Sequence, residues 1–334
     1  MRTLAPIVAL AVAVALPGAA AAQATAASPI PPGADTLLLA NVRMRDVAIL
    51  PQPSAGVYYA VSSAGRSVRA YVSRDLVHWA GPHTIFQTPP DLWGEVNIRG
   101  IWAPEMHEYR GKYYLFLTFD TNHLFPEQWR NWRPRVKRGS QVLVSDSPLG
   151  PFTPFEHEST LPPDMMTLDA TLWEEDGVPY IVYAHEWVQI KDGTIEMMQM
   201  APDLSRTVGE PVHLFHASEG PWARRQSEGC WVTDAPWLHR TRTGKLLMIW
   251  SSFGDGGYTV GIAESTSGKL AGPWVQQDEP LFDEGGGHGM LFTRFDGQLM
   301  MVLHQPNEGG RERARLFEIE DTGDSLRIRR AFPG

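Results

Sequence analysis

Short, fully apolar segments recur along the chain, and each one follows a turn that contains glycine. The five segments cover residues 57–61, 113–117, 180–183, 246–250 and 299–303. The glycines of the turns before them are separated by 53 to 67 residues: Gly56, Gly111, Gly177, Gly244 and Gly297. Apolar runs of this length beside turn signals are typical of strands buried on both faces. The pattern therefore predicts one structural unit used five times.

Several of these units continue with an alternating strand and a polar turn, as in residues 70–75, 141–146 and 260–264. Units of about four strands repeated at this period are typical of the blades of a β-propeller. No amphipathic helical stretch of 10 to 15 residues separates the strands, which argues against an α/β fold. We predict an all-β, five-bladed β-propeller that forms a single domain over residues 41–334.

Composition supports this fold and excludes some functions. The chain has 31 glycines and 27 prolines among 334 residues, which suits a protein with many turns. Its net charge of −9 gives no electrostatic reason to bind nucleic acid or an anionic membrane. Cys230 is the only cysteine, so no intramolecular disulfide can form.

The first residues have the character of a targeting segment. A short basic start, an apolar stretch and a small-x-small end at Ala22-Gln23-Ala24 predict a signal peptide over residues 1–24. Residues 25–40 are then expected to be a flexible N-terminal segment. We expect the mature protein to be exported, periplasmic or secreted, and to have no membrane attachment after cleavage.

One position on the first strand of each unit is chemically unusual. In a propeller this strand lies nearest the axis, and counting eight to ten residues back from each turn glycine gives Asp46, Ala103, Asp169, Asp234 and His288. Burying several like charges is costly unless they bind or catalyse something. Three carboxylates and a histidine are therefore expected to converge on one channel.

The segments around these positions carry a family resemblance. They are Met44-Arg45-Asp46-Val47, Ile101-Trp102-Ala103-Pro104-Glu105, Leu168-Asp169-Ala170-Thr171-Leu172-Trp173 with Glu175-Asp176-Gly177, Thr233-Asp234-Ala235-Pro236-Trp237-Leu238, and Gly287-His288-Gly289-Met290. Their order and spacing resemble glycoside hydrolase family 43, five-bladed propeller enzymes that act mainly on arabinofuranosides and xylosides. The resemblance runs from about Arg43 to Leu326.

The resemblance implies three catalytic carboxyl groups. Asp46 would be the base that activates water, and Asp169 would tune and orient the acid. The acid departs from the family's usual Glu-Gly-Pro, and three residues compete for the role: Glu219 in Ser218-Glu219-Gly220-Pro221, the shorter Asp234, and Glu228. Inversion needs room for a water between sugar and base, and a neighbouring carboxylate helps the acid keep its proton.

Other residues are candidates for binding. Aromatic rings suit the apolar faces of sugars, so Trp102 and Trp237 are expected to contact the substrate, with Glu228 as a hydroxyl acceptor if it is not the acid. The resemblance also implies that His288 lies near the axis, where it would contact one structural calcium or other ion; the alternative is a hydrogen-bonded core histidine. No organic cofactor is expected.

These observations predict an inverting glycoside hydrolase that removes terminal pentofuranosyl residues, in the first place α-L-arabinofuranose, from plant carbohydrates. β-Xylosidase, endo-arabinanase and galactofuranosidase activities are open alternatives. So are a retaining enzyme with Asp46 as nucleophile and a propeller that binds sugar without cleaving it.

Overall fold

Five antiparallel sheets form the fold, and they are arranged as the blades of a propeller. The computed structural model describes Ile30 and residues 36–333. The predicted fold class is confirmed; the proposed signal peptide lies outside the described residues.

Each blade is built from strands that are consecutive in sequence. Blade 1 contains β1 (Thr36–Leu38), β2 (Ala48–Gln52), β3 (Val57–Ala64), β4 (Ser67–Ser73) and β5 (His78–Gln87). Blade 2 contains β6 (Ile98–Tyr109), β7 (Lys112–Thr121), β8 (Gly139–Ser145) and β9 (Thr153–Pro154). Blade 3 contains β10 (Thr167–Glu175), β11 (Val178–His185), β12 (Thr194–Met200) and β13 (Thr207–His216).

The last two blades follow the same plan. Blade 4 contains β14 (Asp234–Arg240), β15 (Leu246–Gly254), β16 (Gly257–Ser265) and β17 (Trp274–Gln276). Blade 5 contains β18 (Gly287–Thr293), β19 (Leu299–Gln305), β20 (Arg313–Asp321) and β21 (Leu326–Phe332). The other regular elements described are the helix α1 (Trp187–Ile190) and 3-10 turns at Leu39–Asn41, Pro53–Ala55 and Ala217–Glu219.

Counted outward from the axis, the first strands of the blades are β2, β6, β10, β14 and β18, and the apolar segments of the sequence belong to the second strands, β3, β7, β11, β15 and β19. The five turn glycines before them have φ angles of 62° to 93°, a left-handed conformation that glycine adopts without steric cost. These segments are apolar throughout because neighbouring blades cover both of their faces. Phe116 of blade 2, for example, packs in one cluster with Tyr183 of blade 3, and both are fully buried.

The ring closes between the first and last blades through side chains and one short backbone contact. The N–H of Met44 donates to the carbonyl of Glu312 over 3.2 Å. The Glu312 side chain is only 1% exposed and pairs with Arg43 at 3.1 Å and with Arg45 at 3.4 Å. A buried carboxylate needs such partners, so these contacts fix blade 1 against blade 5.

A left-handed residue lies within or just before the strand of each blade that is nearest the axis. These residues, which we call the axial positions, have φ angles of 43° to 56°: Asp46, Ala103, Asp169, Ala235 and His288. In blades 2 to 5 the strand register shifts at the same point, as at a β-bulge. The sequence-based assignment was therefore one residue early in blade 4, where Ala235 and not Asp234 occupies the axial position.

Side chains stabilise these unusual residues. A left-handed conformation costs a residue with a Cβ about 1–2 kcal/mol. The N–H of Asp169 donates to the Thr118 hydroxyl at 3.1 Å, and that of His288 donates to the Ser251 hydroxyl at 2.9 Å. The N–H of Ala235 donates to the Asp169 carboxylate at 3.1 Å. Each of these three bulges is therefore held by a side chain of the preceding blade.

Candidate active site

A cavity of about 330 Å³ opens at one end of the first strands. Its walls come from residues in or just before first strands, from residues near or just after the ends of second strands, and from the start of the third strand of blade 4. The lining residues are Arg45, Asp46, Ser63, Trp102, Leu168, Asp169, Glu186, Trp187, Val232, Asp234, Phe253, Tyr258, His288 and Asn307. Four of the residues that precede the axial positions are among them, namely Arg45, Trp102, Leu168 and Asp234. In blades 1 and 3 the axial residue and the residue before it both line the cavity, whereas blades 2, 4 and 5 contribute one residue of the pair.

Asp46 is surrounded by two imidazole rings and a positive charge. Its Oδ1 lies 3.3 Å from Nδ1 of His288 and 3.2 Å from Nδ1 of His304, and its Oδ2 lies 3.4 Å from Nε of Arg45. Burial favours the protonated form of Asp46, but His288, His304 and Arg45 outweigh it and hold the pKa of Asp46 well below its usual range. Burial also lowers the pKa of His288 to about 4, so this imidazole is neutral at pH 7. Asp46 is therefore a carboxylate under all ordinary conditions.

The partners of Asp46 support one another. Asn307 Oδ1 accepts hydrogen bonds from Nη1 of Arg45 at 2.7 Å and from Nε2 of His304 at 3.2 Å. The His304 side chain is fully buried. Asp46, His304, Asn307 and Arg45 thus form a closed polar ring. No role was predicted from the sequence for His304, Asn307 or Arg45.

Asp234 and Asp169 have the opposite electrostatic character. Burial, together with the charge of Asp46, raises the pKa of Asp234 to about 7. Burial and the neighbouring Asp234 and Asp46 also raise the pKa of Asp169 well above its usual value. The pair therefore retains at least one proton near pH 7, while Asp46 retains none.

Glu186 is a cavity residue that the sequence analysis missed. It is buried and pairs with Arg138, which also bonds the Asp120 carboxylate at 2.7 Å. Burial raises the pKa of Glu186 despite that pairing. The Arg138 guanidinium lies 4.1 Å from the ring centre of Trp102, which is 37% exposed at the cavity. The sequence did contain a signal for Glu186: it directly follows the second strand of blade 3, and Asn307 follows the second strand of blade 5 in a similar way.

Three expected site residues lie elsewhere. Glu219 is exposed, and its carboxylate accepts the N–H of His216 at 2.9 Å to cap a 3-10 turn. Glu228 is exposed and pairs with Arg133. Trp237 stacks on His107 at 5.6 Å between blades. None of the three lines the cavity. The geometry therefore does not support Glu219 or Glu228 as the acid, and it does not support Glu228 or Trp237 as a sugar contact.

The predicted calcium contact of His288 has little support from the donor set. Among the described residues, no group of three or more His, Cys, Asp or Glu side chains is arranged to hold one ion. Nδ1 of His288 already faces Asp46 and lies 3.6 Å from Oδ2 of Asp169. The residues present do not form a calcium cage, and we assign no chemical step to a metal.

This arrangement defines a class of enzyme. One ionised and one protonated carboxyl group in the same cavity supply the base and the acid that hydrolysis of a glycosidic bond requires. A family model for the glycosyl hydrolases of family 43 matches residues 39–323, and the chain belongs to that family. It is a glycoside hydrolase, as the sequence analysis predicted.

Similar proteins are named for arabinose-containing substrates. An endo-arabinase structure from Bacteroides thetaiotaomicron is 38% identical, with a TM-score of 0.77, and the match covers 86% of this chain and 98% of that one. An α-L-arabinofuranosidase structure from Lactobacillus brevis is 22% identical, with a TM-score of 0.69 over 85% of this chain and 93% of that one, and shows the fold alone. The α-L-arabinofuranosidase B of Pyricularia oryzae is 24% identical over 64% of this chain, which spans 44% of that protein's length.

The structure also bears on membrane attachment. Within residues 36–333, none of the helices has the length and apolar character needed to cross a membrane.

Proposed function

We propose that the protein hydrolyses α-L-arabinofuranosyl linkages with inversion. The observation that carries the proposal is the contrast in protonation within one cavity: Asp46 is held ionised, and the pKa of Asp234 is raised to about 7. Groups whose surroundings push their pKa values apart are suited to base and acid roles. The names of three similar proteins favour arabinose as the sugar.

In the proposed reaction Asp46 accepts a proton from a water molecule while the oxygen of that water attacks the anomeric carbon. Asp234 gives its proton to the glycosidic oxygen as the bond to the leaving sugar breaks. Asp169 accepts the N–H of Ala235, next to Asp234, and thereby helps to orient the acid. Each carboxyl group therefore has one task, and no covalent intermediate forms.

The expected mode of attack is the release of terminal residues. A specific observation favours a second candidate, internal cleavage of an arabinan chain. Two further cavities adjoin the central one on opposite sides, one sharing Trp102, Glu186 and Trp187 with it and the other sharing Phe253, Tyr258 and Asn307. A row of three cavities has room for sugar units on both sides of the cleaved bond.

Product analysis tests the activity and its mode. The protein is incubated with nitrophenyl arabinofuranoside, xyloside and galactofuranoside and with linear arabino-oligosaccharides. We expect arabinofuranoside cleavage, with release of single arabinose units for terminal action or of mixed oligomers for internal action. Preference for the xyloside or galactofuranoside overturns the choice of sugar.

A pair of matched variants tests the base. Asp46→Asn is expected to lose about 10²- to 10⁴-fold in kcat/KM. Asp296→Asn, in an exposed turn of blade 5 where Asp296 pairs with Arg294, is the control and should keep full activity. Proton NMR of the first-formed anomer tests inversion, and a retained anomer would make Asp46 a nucleophile.

Export of the protein is proposed on the sequence of residues 1–24 alone. Fractionation of cells expressing the full chain tests it, with N-terminal sequencing of the exported form. A full-length N-terminus in the cytoplasmic fraction would contradict the proposal.

A further inference from the structure

Tyr258 lines the catalytic cavity beside Asp234, and neither the acid role nor the base role accounts for it. Its hydroxyl donates a hydrogen bond to Oδ2 of Asp234 at 2.8 Å. The residue is 3% exposed and forms part of the wall of the catalytic cavity. The surroundings hold it firmly: its ring stacks on His304 at 5.6 Å and packs against Phe253 at 5.3 Å.

We infer that Tyr258 is the positioning residue that lets the short side chain of Asp234 act as the general acid. The inference rests on the proposed function. A hydrogen bond to Oδ2 fixes the carboxyl plane and leaves Oδ1 to carry the proton toward the glycosidic oxygen. Aspartate is one methylene shorter than glutamate, so its reach depends strongly on this orientation.

The tyrosine is a permanent donor. Burial and the nearby carboxyl groups of Asp234, Asp46 and Asp169 raise its pKa well above the usual value for tyrosine. It therefore remains protonated throughout the working range and cannot replace Asp234 as the acid. A donor to a carboxylate favours the ionised form, so Tyr258 also moderates the rise that burial causes in the pKa of Asp234.

The other titratable groups around Asp234 come from three blades. They are Arg45 and Asp46 of blade 1, Asp169 and Glu186 of blade 3, and Tyr258 on its own blade. Arg45 favours the ionised form of Asp234, whereas Asp46 and Glu186 disfavour it. Of these groups, Tyr258 is the one that donates a hydrogen bond to the Asp234 carboxyl group and so orients that side chain.

Gly287 gives an independent observation of the same arrangement. It precedes the axial position of blade 5, and a Cβ placed there would lie 2.5 Å from carbon atoms of the Tyr258 ring. The ring thus occupies the space that the side chain of the equivalent residue fills in the other four blades. This explains why blade 5 contributes no side chain of its own at that position of the cavity wall.

The first test is Tyr258→Phe, measured as pH profiles of kcat/KM on an arabino-oligosaccharide and on nitrophenyl arabinofuranoside. Loss of the hydrogen bond should move the alkaline limb upward by about one pH unit. It should also lower kcat on the oligosaccharide at least tenfold. The nitrophenyl substrate should lose less, because a good leaving group needs little help from an acid.

A matched control separates positioning from stability. Tyr183→Phe removes another buried hydroxyl, which bonds the Glu196 carboxylate at 3.1 Å away from the cavity, and should leave both profiles unchanged. Gly287→Ala is the second variant and should reproduce the Tyr258→Phe profile by displacing the ring. Wild-type pH profiles in both Tyr258→Phe and Gly287→Ala overturn the inference.

The failure of the proposed function has a different signature. If Asp234→Asn keeps full activity on the oligosaccharide, Asp234 is not the acid and the proposed mechanism fails. If Asp234→Asn is inactive and Tyr258→Phe behaves as wild type with both substrates, the mechanism stands and only the role of Tyr258 is refuted.

Discussion

Replacing the acid by its amide should make the protein more stable at alkaline pH while it loses activity. The pKa of Asp234 is raised from 3.8 to about 7 in the fold, so between these pH values the unfolded chain releases a proton that the folded protein retains. The contribution of Asp234 is fully present below pH 4 and is lost as pH rises through 7. The slope is about 1.4 kcal/mol per pH unit.

The size of the effect follows from the shift. Over about three pH units the accumulated loss is at most about 4 kcal/mol, and the partial opening of the carboxyl to the cavity reduces it. Asp234→Asn removes this loss. For a chain of this size, a gain of about 4 kcal/mol corresponds to a rise in Tm of about 6 °C.

The assay is thermal unfolding of wild type and Asp234→Asn from pH 4 to pH 9, followed by circular dichroism. The difference in Tm should be small at pH 4, should grow up to about pH 7 and should then level off. Activity on oligosaccharides should fall about 10²- to 10⁴-fold in the same variant. A difference in Tm that does not change with pH would show that Asp234 is not the buried proton carrier.

Three further variants probe other parts of the structure. Glu219→Gln should keep activity within twofold in the oligosaccharide assay, since Glu219 caps a turn outside the cavity; a large loss would reinstate it as an acid candidate. Gly261→Ala should cost about 1–3 kcal/mol or more in chemical denaturation, because a Cβ there would lie 1.9 Å from the Trp222 ring; unchanged stability would refute this packing. Arg138→Met should lower the free energy of unfolding by about 3–5 kcal/mol at pH 7, because it leaves the buried carboxylates of Asp120 and Glu186 unpaired, and by less at pH 4. The same variant should raise KM, because Arg138 also holds the Trp102 ring; an unchanged KM would refute a role of Arg138 in placing Trp102.

Much of the fold could be predicted from the sequence because its signals are local. Glycines such as Gly111 and Gly244 mark turns whose φ angles only glycine tolerates well. The apolar strands after them are buried from both sides, which an unbroken apolar run expresses directly. The axial positions were harder to place, because a bulge adds one residue to a strand and shifts the count, as at Ala235.

The site could be predicted only where its residues share the phase of the repeat. Asp46 and Asp169 lie on bulges and were found in this way. Glu186, Tyr258 and His304 come from second and third strands or the loop after them, and only the closed ring brings them to the cavity. Glu219 was favoured for its resemblance to a short motif, which local turn capping explains equally well.

The closure of the ring has a consequence for when the enzyme becomes active. Asp46 belongs to the first blade to be synthesised, whereas His288, His304, Asn307 and Glu312, which hold it or its neighbour Arg45, belong to the last. A growing chain can complete four blades and still lack the environment that ionises its base. Catalytic competence is thus coupled to the completion of synthesis, and a chain that ends before blade 5 should be inert even where its folded part is sound.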